Sequence, residues 1–255
     1  MIAELLLAAA AASQDLTICA DRPTKANASC TVPAEHWQLE VAAVDWTQTR
    51  GGGARTDVTS LGQTLVKLGL SGNSDVELGF SPHIDVESRA SGVRDQVSGI
   101  GDVLIRYKRR LTDPASSTQV ALIPFLKVPT AHRELGNGKL EGGLATTVSF
   151  STKAGPTIAL GPEVDILADR DGHGYHPSIT NLVNVGISPA PRLTLSAELW
   201  NATNFDPAGT TRLWSADVAA AYLAGKRWQV DGGANFGLNW ATPDIELYVG
   251  ASVLF

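Results

Sequence analysis

Ile245-Glu246-Leu247-Tyr248-Val249-Gly250-Ala251-Ser252-Val253-Leu254-Phe255 is the stretch that decides the fold. Apolar residues recur at every second position, with Ile245, Leu247, Val249, Ala251, Val253 and Phe255 on one face. Glu246, Tyr248, Gly250 and Ser252 fall on the other. A period of two places successive side chains on opposite faces of a strand, so one face is apolar and the other wet. The same alternation recurs upstream. Val76, Leu78, Phe80 and Ile84 oppose Asp75, Glu77, His83 and Asp85, and Ile158, Leu160, Val164 and Ile166 oppose Glu163 and Asp165. Leu193, Leu195, Ala197 and Leu199 oppose Thr194, Ser196 and Glu198. Trp228, Val230, Ala234, Phe236 and Leu238 oppose Gln229, Asp231 and Asn235. After residue 35 no segment sustains helical spacing over three turns.

About twelve such segments begin near His36, Thr59, Asp75, Ser98, Ser117, Glu141, Thr157, Ser178, Arg192, Arg212, Arg227 and Asp244. Most are longer than the usual strand of roughly five or six residues. They match the roughly 9–11 residues that a tilted strand needs to cross a bilayer. Short links, such as Ser71-Gly72-Asn73-Ser74, Thr112 to Ser116, Ala154-Gly155-Pro156, Pro189-Ala190-Pro191 and Ala224-Gly225-Lys226, alternate with longer ones. The longer links are Gln48 to Val58, Ser88 to Val97, Pro129 to Leu140, Ala168 to Pro177 and Ala202 to Thr211. Ala241-Thr242-Pro243 alone is short where a long loop is due. Short inner turns and long outer loops characterise outer-membrane barrels. The expected fold is therefore all-β, an antiparallel transmembrane β-barrel of about 12 strands over residues 36–255. An even strand number puts both termini in the periplasm. All six tryptophans sit at strand ends, as in the aromatic girdles of such barrels. By parity Trp37, Trp214, Trp228 and Trp240 face lipid, with Tyr107, Tyr222 and Phe255, whereas Trp46 and Trp200 face the lumen.

Composition narrows the function. The 255 residues carry a net charge of −6 with 44% apolar and 18% charged residues. No basic run is present, which argues against nucleic acid. The longest apolar run, Leu5 to Ala12, is far below the roughly 20 residues of a membrane helix. It suits the apolar region of a signal peptide over residues 1–13, although Met1 to Glu4 lack basic residues. Residues 14–35 then form a periplasmic N-terminal segment, and whether it hangs free or plugs the barrel is open. Cys19 and Cys30 most simply form a disulfide in an exported chain. Two cysteines with only His36 nearby make no zinc site.

Two stretches resemble a bacterial family. They are Gly99-Ile100-Gly101-Asp102-Val103-Leu104-Ile105-Arg106-Tyr107-Lys108, and Leu122-Ile123-Pro124-Phe125-Leu126-Lys127-Val128-Pro129-Thr130 followed by Gly136-Asn137-Gly138. Their order and spacing are similar to those of the outer-membrane transporter family named after the meta pathway of phenol degradation. The resemblance spans roughly residues 36 to 255. It implies a barrel in the bacterial outer membrane, a link to uptake of aromatic compounds, and no established catalytic residues. Tyr248 to Phe255 resembles the signal read by the outer-membrane assembly machinery, with Phe255 last.

If the apolar faces meet lipid, the polar faces line the interior. The expected lumen set is Glu40, Lys67, Asp75, Glu77, Asp102, Arg106, Lys108, Lys127, Glu163, Asp165, Glu198, Asp217, Asp231 and Glu246, ten acids against four bases. An Arg or Lys facing lipid at the midplane costs about 2–4 kcal/mol, which fixes the register. Either these charges line a water-filled path that favours cations or neutral solutes, or they interlock and close the barrel. Ala121, Ile123 and Phe125 form an apolar patch for an aromatic solute, or a strand covered on both faces by a plug. The expected function is a channel for small solutes, hydrophobic or aromatic ones included. The alternatives are a closed structural or interaction barrel, a secreted soluble barrel, and a barrel-borne hydrolase. No cofactor, metal or catalytic set is expected. Gly51-Gly52-Gly53 lacks the lysine and hydroxyl of a phosphate loop and reads as a flexible loop. Asp169, Asp171, His173 and His176 read as a solvated outer loop rather than a cation site. His83, beside Ser81, Asp85 and Glu77, has nothing resembling an oxyanion site.

Overall fold

The computed structural model describes residues 16–151 and 155–255, in which there is one antiparallel sheet and no helix. The expected signal peptide, residues 1–13, and Ala154 of one expected turn lie outside the described residues. The strands are β1 (Trp37–Gly51), β2 (Ala54–Ser71), β3 (Ser74–Phe80), β4 (His83–Ala90), β5 (Val93–Gly99), β6 (Val103–Arg110), β7 (Thr118–Val128), β8 (Glu141–Ser151), β9 (Thr157–Leu160), β10 (Glu163–Ala168), β11 (Tyr175–Ala190), β12 (Leu193–Asn204), β13 (Thr211–Leu223), β14 (Trp228–Gly237) and β15 (Ile245–Leu254). Three pairs are single staves interrupted once: β3 with β4 at Ser81-Pro82, β5 with β6 at Ile100 to Asp102, and β9 with β10 at Gly161-Pro162. Proline has no N–H for the ladder, so two of the breaks are written in the sequence. Fifteen segments thus make twelve staves, and β1 pairs with both β2 and β15 to close the barrel.

Alternation orients the wall. Along β11 every second side chain from His176 to Gly186 is buried, and the intervening Ile179, Val183 and Val185 are exposed. Val249 is 54% exposed, whereas Lys67 and Lys108 are fully covered. A soluble sandwich buries its apolar face. Here the apolar face is the outside, so the secreted soluble alternative fails.

One end of the barrel carries the short turns and both the Trp37 and Phe255 ends; we call it the near end. Trp37, Trp228, Tyr222 and Phe255 stand exposed there, while Trp214 and Trp240 stand exposed at the far end. Trp214 and Tyr222 are eight residues apart along β13 (222 − 214), or about 26 Å along the strand. Tilt shortens that to roughly 20 Å, near the height of an apolar band of about 25 Å.

The far end departs from expectation. Gln48 to Val58 and Ser88 to Val97 are not loops but the tips of long hairpins. β2 runs 18 residues, well beyond what a bilayer requires. Gly52 and Gly53, at φ 57° and 80°, close the β1–β2 hairpin, and Ser91 and Gly92, at 52° and 81°, close β4–β5. Two residues at positive φ make the tight turn whose twist suits a hairpin. The three glycines at 51–53 are therefore an ordered turn. The link between β14 and β15 runs from 238 to 244, longer than the expected Ala241 to Pro243.

A line of irregularities separates this extension from the barrel. Pairing skips from Ala42↔Gln63 to Val44↔Leu61, and β2 passes from β3 to β4 across Pro82. Gly62 opposite takes φ 67°. Each skipped residue inverts the alternation beyond it, because the side-chain period is two. Trp46 thereby lies opposite Leu247, an exposed outward residue, and faces out rather than into the lumen. His83 lies opposite the exposed Leu61, on the other face from Glu77. The Ser81, His83, Asp85 and Glu77 grouping does not form.

Candidate functional site

Residues 16–36 enter and leave at one mouth of the barrel, and residues 19–32 lie inside it. Ile18 donates its N–H to the Lys226 carbonyl at the near-end rim, and Glu35 and His36 return to Gly69 and Pro33 there. Between them the chain rises into the lumen and turns back, with Cys19 and Cys30 joined by a disulfide across its base. A coil has no ladder, yet its buried N–H groups need acceptors. The wall carboxylates supply them. Glu40 accepts from the N–H groups of Asp21 and Arg22, both at 3.1 Å. Asp75 accepts from Val32 at 2.8 Å, and Glu198 from Lys25 at 3.3 Å and Ala26 at 3.1 Å. Gln38 brackets Cys19 through both its amide atoms, and Gln229 donates to the Arg22 carbonyl.

Charge fixes the segment more tightly. The Asp21 carboxylate receives Lys67 Nζ at 2.8 Å, Lys108 Nζ at 2.5 Å and Arg106 Nη2 at 3.3 Å. Lys67 also meets Glu40 at 2.5 Å, Arg106 meets Glu77 at 2.8 Å, and Lys108 meets Glu77 at 3.3 Å. Across the lumen the signs reverse. Arg22 pairs with Asp231 at 2.9 Å and Lys25 with Asp217 at 2.7 Å. Lys25 also stands 5.1 Å from the centre of the Trp200 ring, which points inward. The wall is basic on β2 and β6 and acidic from β12 to β14, and the segment presents an anion to the first side and two cations to the second. Burial alone would raise the Asp21 carboxyl, but Lys108, Lys67 and Arg106 outweigh it and hold it well below the usual carboxylate range.

Of the fourteen residues expected in the lumen, Glu40, Lys67, Asp75, Glu77, Lys108, Asp165, Glu198, Asp217 and Asp231 are buried. Asp102, Arg106, Lys127, Glu163 and Glu246 are half-buried. They divide into groups. Those on the basic side and on the acidic side hold the plug. Nearer the far end, Lys127 bridges Asp102 at 3.1 Å and Glu141 at 2.7 Å. Glu246 accepts from Asn235 at 2.6 Å. Asp21, Arg22, Lys25 and Asn27 escape a reading by pattern, for they sit in a segment without periodicity. Their signal is the surplus of wall acids, which demands counter-charge.

Above the plug lies a cavity of about 570 Å3 with Asp21, Arg22, Lys25 and Asn27 on its floor. Leu65, Phe80, Leu104, Leu182 and Trp200 give it apolar walls, and Arg106 and Glu163 add charge. A smaller cavity of about 180 Å3 adjoins it against Ile123 and Phe125, sharing Asn27, Leu104, Arg106 and Glu163. The patch at Ala121, Ile123 and Phe125 is thus present and lies beside the plug. At the far end, His176 Nδ1 at the start of β11 meets Asp169 at 2.7 Å. Among the described residues, no group of three or more His, Cys, Asp or Glu side chains is placed to hold a metal ion.

An apolar outer surface, two aromatic belts and a charged, plugged lumen define a β-barrel of the bacterial outer membrane. The chain belongs to the family described as "Putative MetA-pathway of phenol degradation", whose model matches residues 20–255. No curated protein matches it. Among solved structures it is similar to an outer-membrane channel from Pseudomonas putida F1, with 14% identity and a TM-score of 0.70 over 89% of this chain and 98% of that one. It is also similar to the NanC porin, with 10% identity and a TM-score of 0.53 over 83% of this chain and 99% of that one.

Proposed function

We propose that this barrel is a channel for small solutes, hydrophobic and aromatic ones included, and not an enzyme. The observation that carries the reading is the cavity above the plug with the smaller one adjoining it, where the Ile123–Phe125 patch lies beside Arg106, Glu163 and Asn27. An apolar wall with a few convergent polar groups suits a small ring bearing a polar substituent. The solved channel and porin of the same fold support the reading. We read the near end, with both termini and the mouth of the plug, as the periplasmic one; the even number of staves and the long far-end hairpins support this reading. Phe255, exposed at the near end, is there available to the outer-membrane assembly machinery.

A closed barrel is the second reading, favoured by the ion pairs that seat the plug. Conductance in planar bilayers, with quenching of Trp200 fluorescence by a nitrophenol, separates the two. A channel gives current that rises on removal of residues 16–35, and quenching that disappears in Trp200→Phe. Silence of both forms, with no Trp200-dependent quenching, leaves the closed barrel.

A further inference from the structure

We propose that the far-end extension binds the phosphate groups of the outer-leaflet glycolipid through a row of four arginines. Arg50 lies directly opposite Arg55, Arg55 opposite Arg89, and Arg89 opposite Arg94, across the four neighbouring strands β1, β2, β4 and β5. Directly opposed residues share a face, and like charges so placed destabilise a sheet. Four in a row therefore call for an anion. The next row down holds Asp57 and Glu87 between Gln48 and Gln96. Asp57 takes Arg55 through two bonds of 2.6 and 2.8 Å. Glu87 takes Arg89 and, at 2.7 Å, Arg94. Two carboxylates serve three of the four guanidiniums, and both approach from below. The side chains of Arg55, Arg89 and Arg94 stay 40%, 55% and 58% exposed.

The face and the height suit a lipid headgroup. Arg50 shares its face with Trp46 and the outward Val44. It is four residues beyond Trp46 (50 − 46), or about 13 Å along the strand. Interfacial tryptophan marks headgroup level, so the row stands beside the headgroups and away from the lumen. A concavity of about 430 Å3 between the hairpin tips is lined by Arg50, Arg55 and Arg89. Neighbouring strands are about 4.8 Å apart, so the row spans about 14 Å. Guanidinium binds phosphate bidentately, and four guanidiniums over two carboxylates leave positive charge for it to neutralise.

The site rests on the orientation proposed above, which puts the far end outside the cell. The test uses the full-length protein in non-ionic micelles, titrated with bisphosphorylated lipid A, its dephosphorylated form and inorganic phosphate. The expected result is saturable binding of the phosphorylated lipid alone. Changing all four arginines to glutamine weakens it by roughly tenfold or more, since hydrogen bonds to charged groups carry the affinity. Arg50→Gln with Arg94→Gln weakens it less and serves if the fourfold variant does not fold. Asp57→Asn with Glu87→Gln frees the guanidiniums and tightens binding. Equal binding by the arginine variants, or by the dephosphorylated lipid, overturns the site. Competition by inorganic phosphate at similar concentration assigns a free-anion site and also overturns it. Ser91→Cys, labelled by an impermeant maleimide on intact cells, reports orientation separately. Labelling only after permeabilisation means the far end faces inward, whatever the micelle titration shows.

Discussion

Replacing Asp21 with asparagine should unseat the plug while leaving the barrel intact. Ion pairs join three cations, Lys67, Lys108 and Arg106, to three carboxylates, Asp21, Glu40 and Glu77. Loss of Asp21 leaves one cation in excess. Removing one partner of a buried pair costs about 3–5 kcal/mol. The lower figure applies here, because Lys67 keeps Glu40, Arg106 keeps Glu77, and Lys108 keeps the longer contact to Glu77. About 3 kcal/mol is roughly a hundredfold in the ratio of seated to free plug. Amide exchange reads this directly at Val32 and Ala26, whose N–H groups end on Asp75 and Glu198. Both should exchange roughly a hundredfold faster, with the β13–β15 ladder unchanged and conductance raised. Lys108→Met added to Asp21→Asn restores the charge balance and should recover part of the protection, as a cycle of coupled neighbours requires. Unchanged exchange at Val32 and Ala26 would refute the view that charge seats the plug.

Further consequences concern the other side of the lumen, the wall, the disulfide and pH. Arg22→Ala with Lys25→Ala leaves Asp231 and Asp217 without their cations, so reversal potentials should shift toward cation selectivity. Val249→Arg puts a cation on the lipid face and should destabilise the barrel by about 2–4 kcal/mol in vesicle unfolding. Reducing Cys19–Cys30 opens a loop of sequence separation 11; plug amides should exchange faster by the equivalent of about 3 kcal/mol, with the wall unaffected. Asp21 is lowered in the folded state. Its contribution is therefore complete above the unfolded value near about 3.9 and lost as pH falls toward the folded value. Plug protection, corrected for intrinsic exchange, should be flat from about pH 5 to 8 on this account and fall only below about pH 4.

The period-two pattern makes the wall legible where nothing interrupts it. β11 and β13 to β15 show it best, since each residue's face follows from its neighbour's. Pro82 and Pro162 mark two breaks in advance. The skips at Ala43 and Gly62 leave no trace in composition, yet each exchanges inside for outside beyond it. The first is why parity alone puts Trp46 on the wrong face; for His83 the break at Ser81-Pro82 does the same. The far-end hairpins read as loops for a related reason. Above the bilayer both faces of a strand are wet, so Arg50 to Asp57 and Glu87 to Gln96 show no apolar alternation. The plug's contacts are illegible because a coil held by side chains has no period at all; the surplus of lumen acids and the inward apolar patch at Ala121, Ile123 and Phe125 point only to its presence.

The surplus has a structural use beyond selectivity. Asp231 and Asp217 answer plug cations, while Glu40, Asp75 and Glu198 answer plug backbone. An apolar lumen would leave those N–H groups unpaired at about 1–3 kcal/mol each. A strand-forming plug would pair with itself and need no wall carboxylate. The coil form ties seating to the wall residue by residue, so it can be loosened locally without unpairing the barrel. Glu163 and Glu246 serve neither the plug cations nor the plug backbone. Among the described residues neither meets a Lys or Arg within ion-pair distance. With Asp165, which among the described residues pairs with no cation or plug amide either, they are acids left to face a passing solute. Glu163→Gln should therefore change cation selectivity without altering plug exchange, whereas Glu198→Gln should loosen the Lys25–Ala26 turn. If both substitutions moved both readouts equally, seating and selection would not be separable in this lumen.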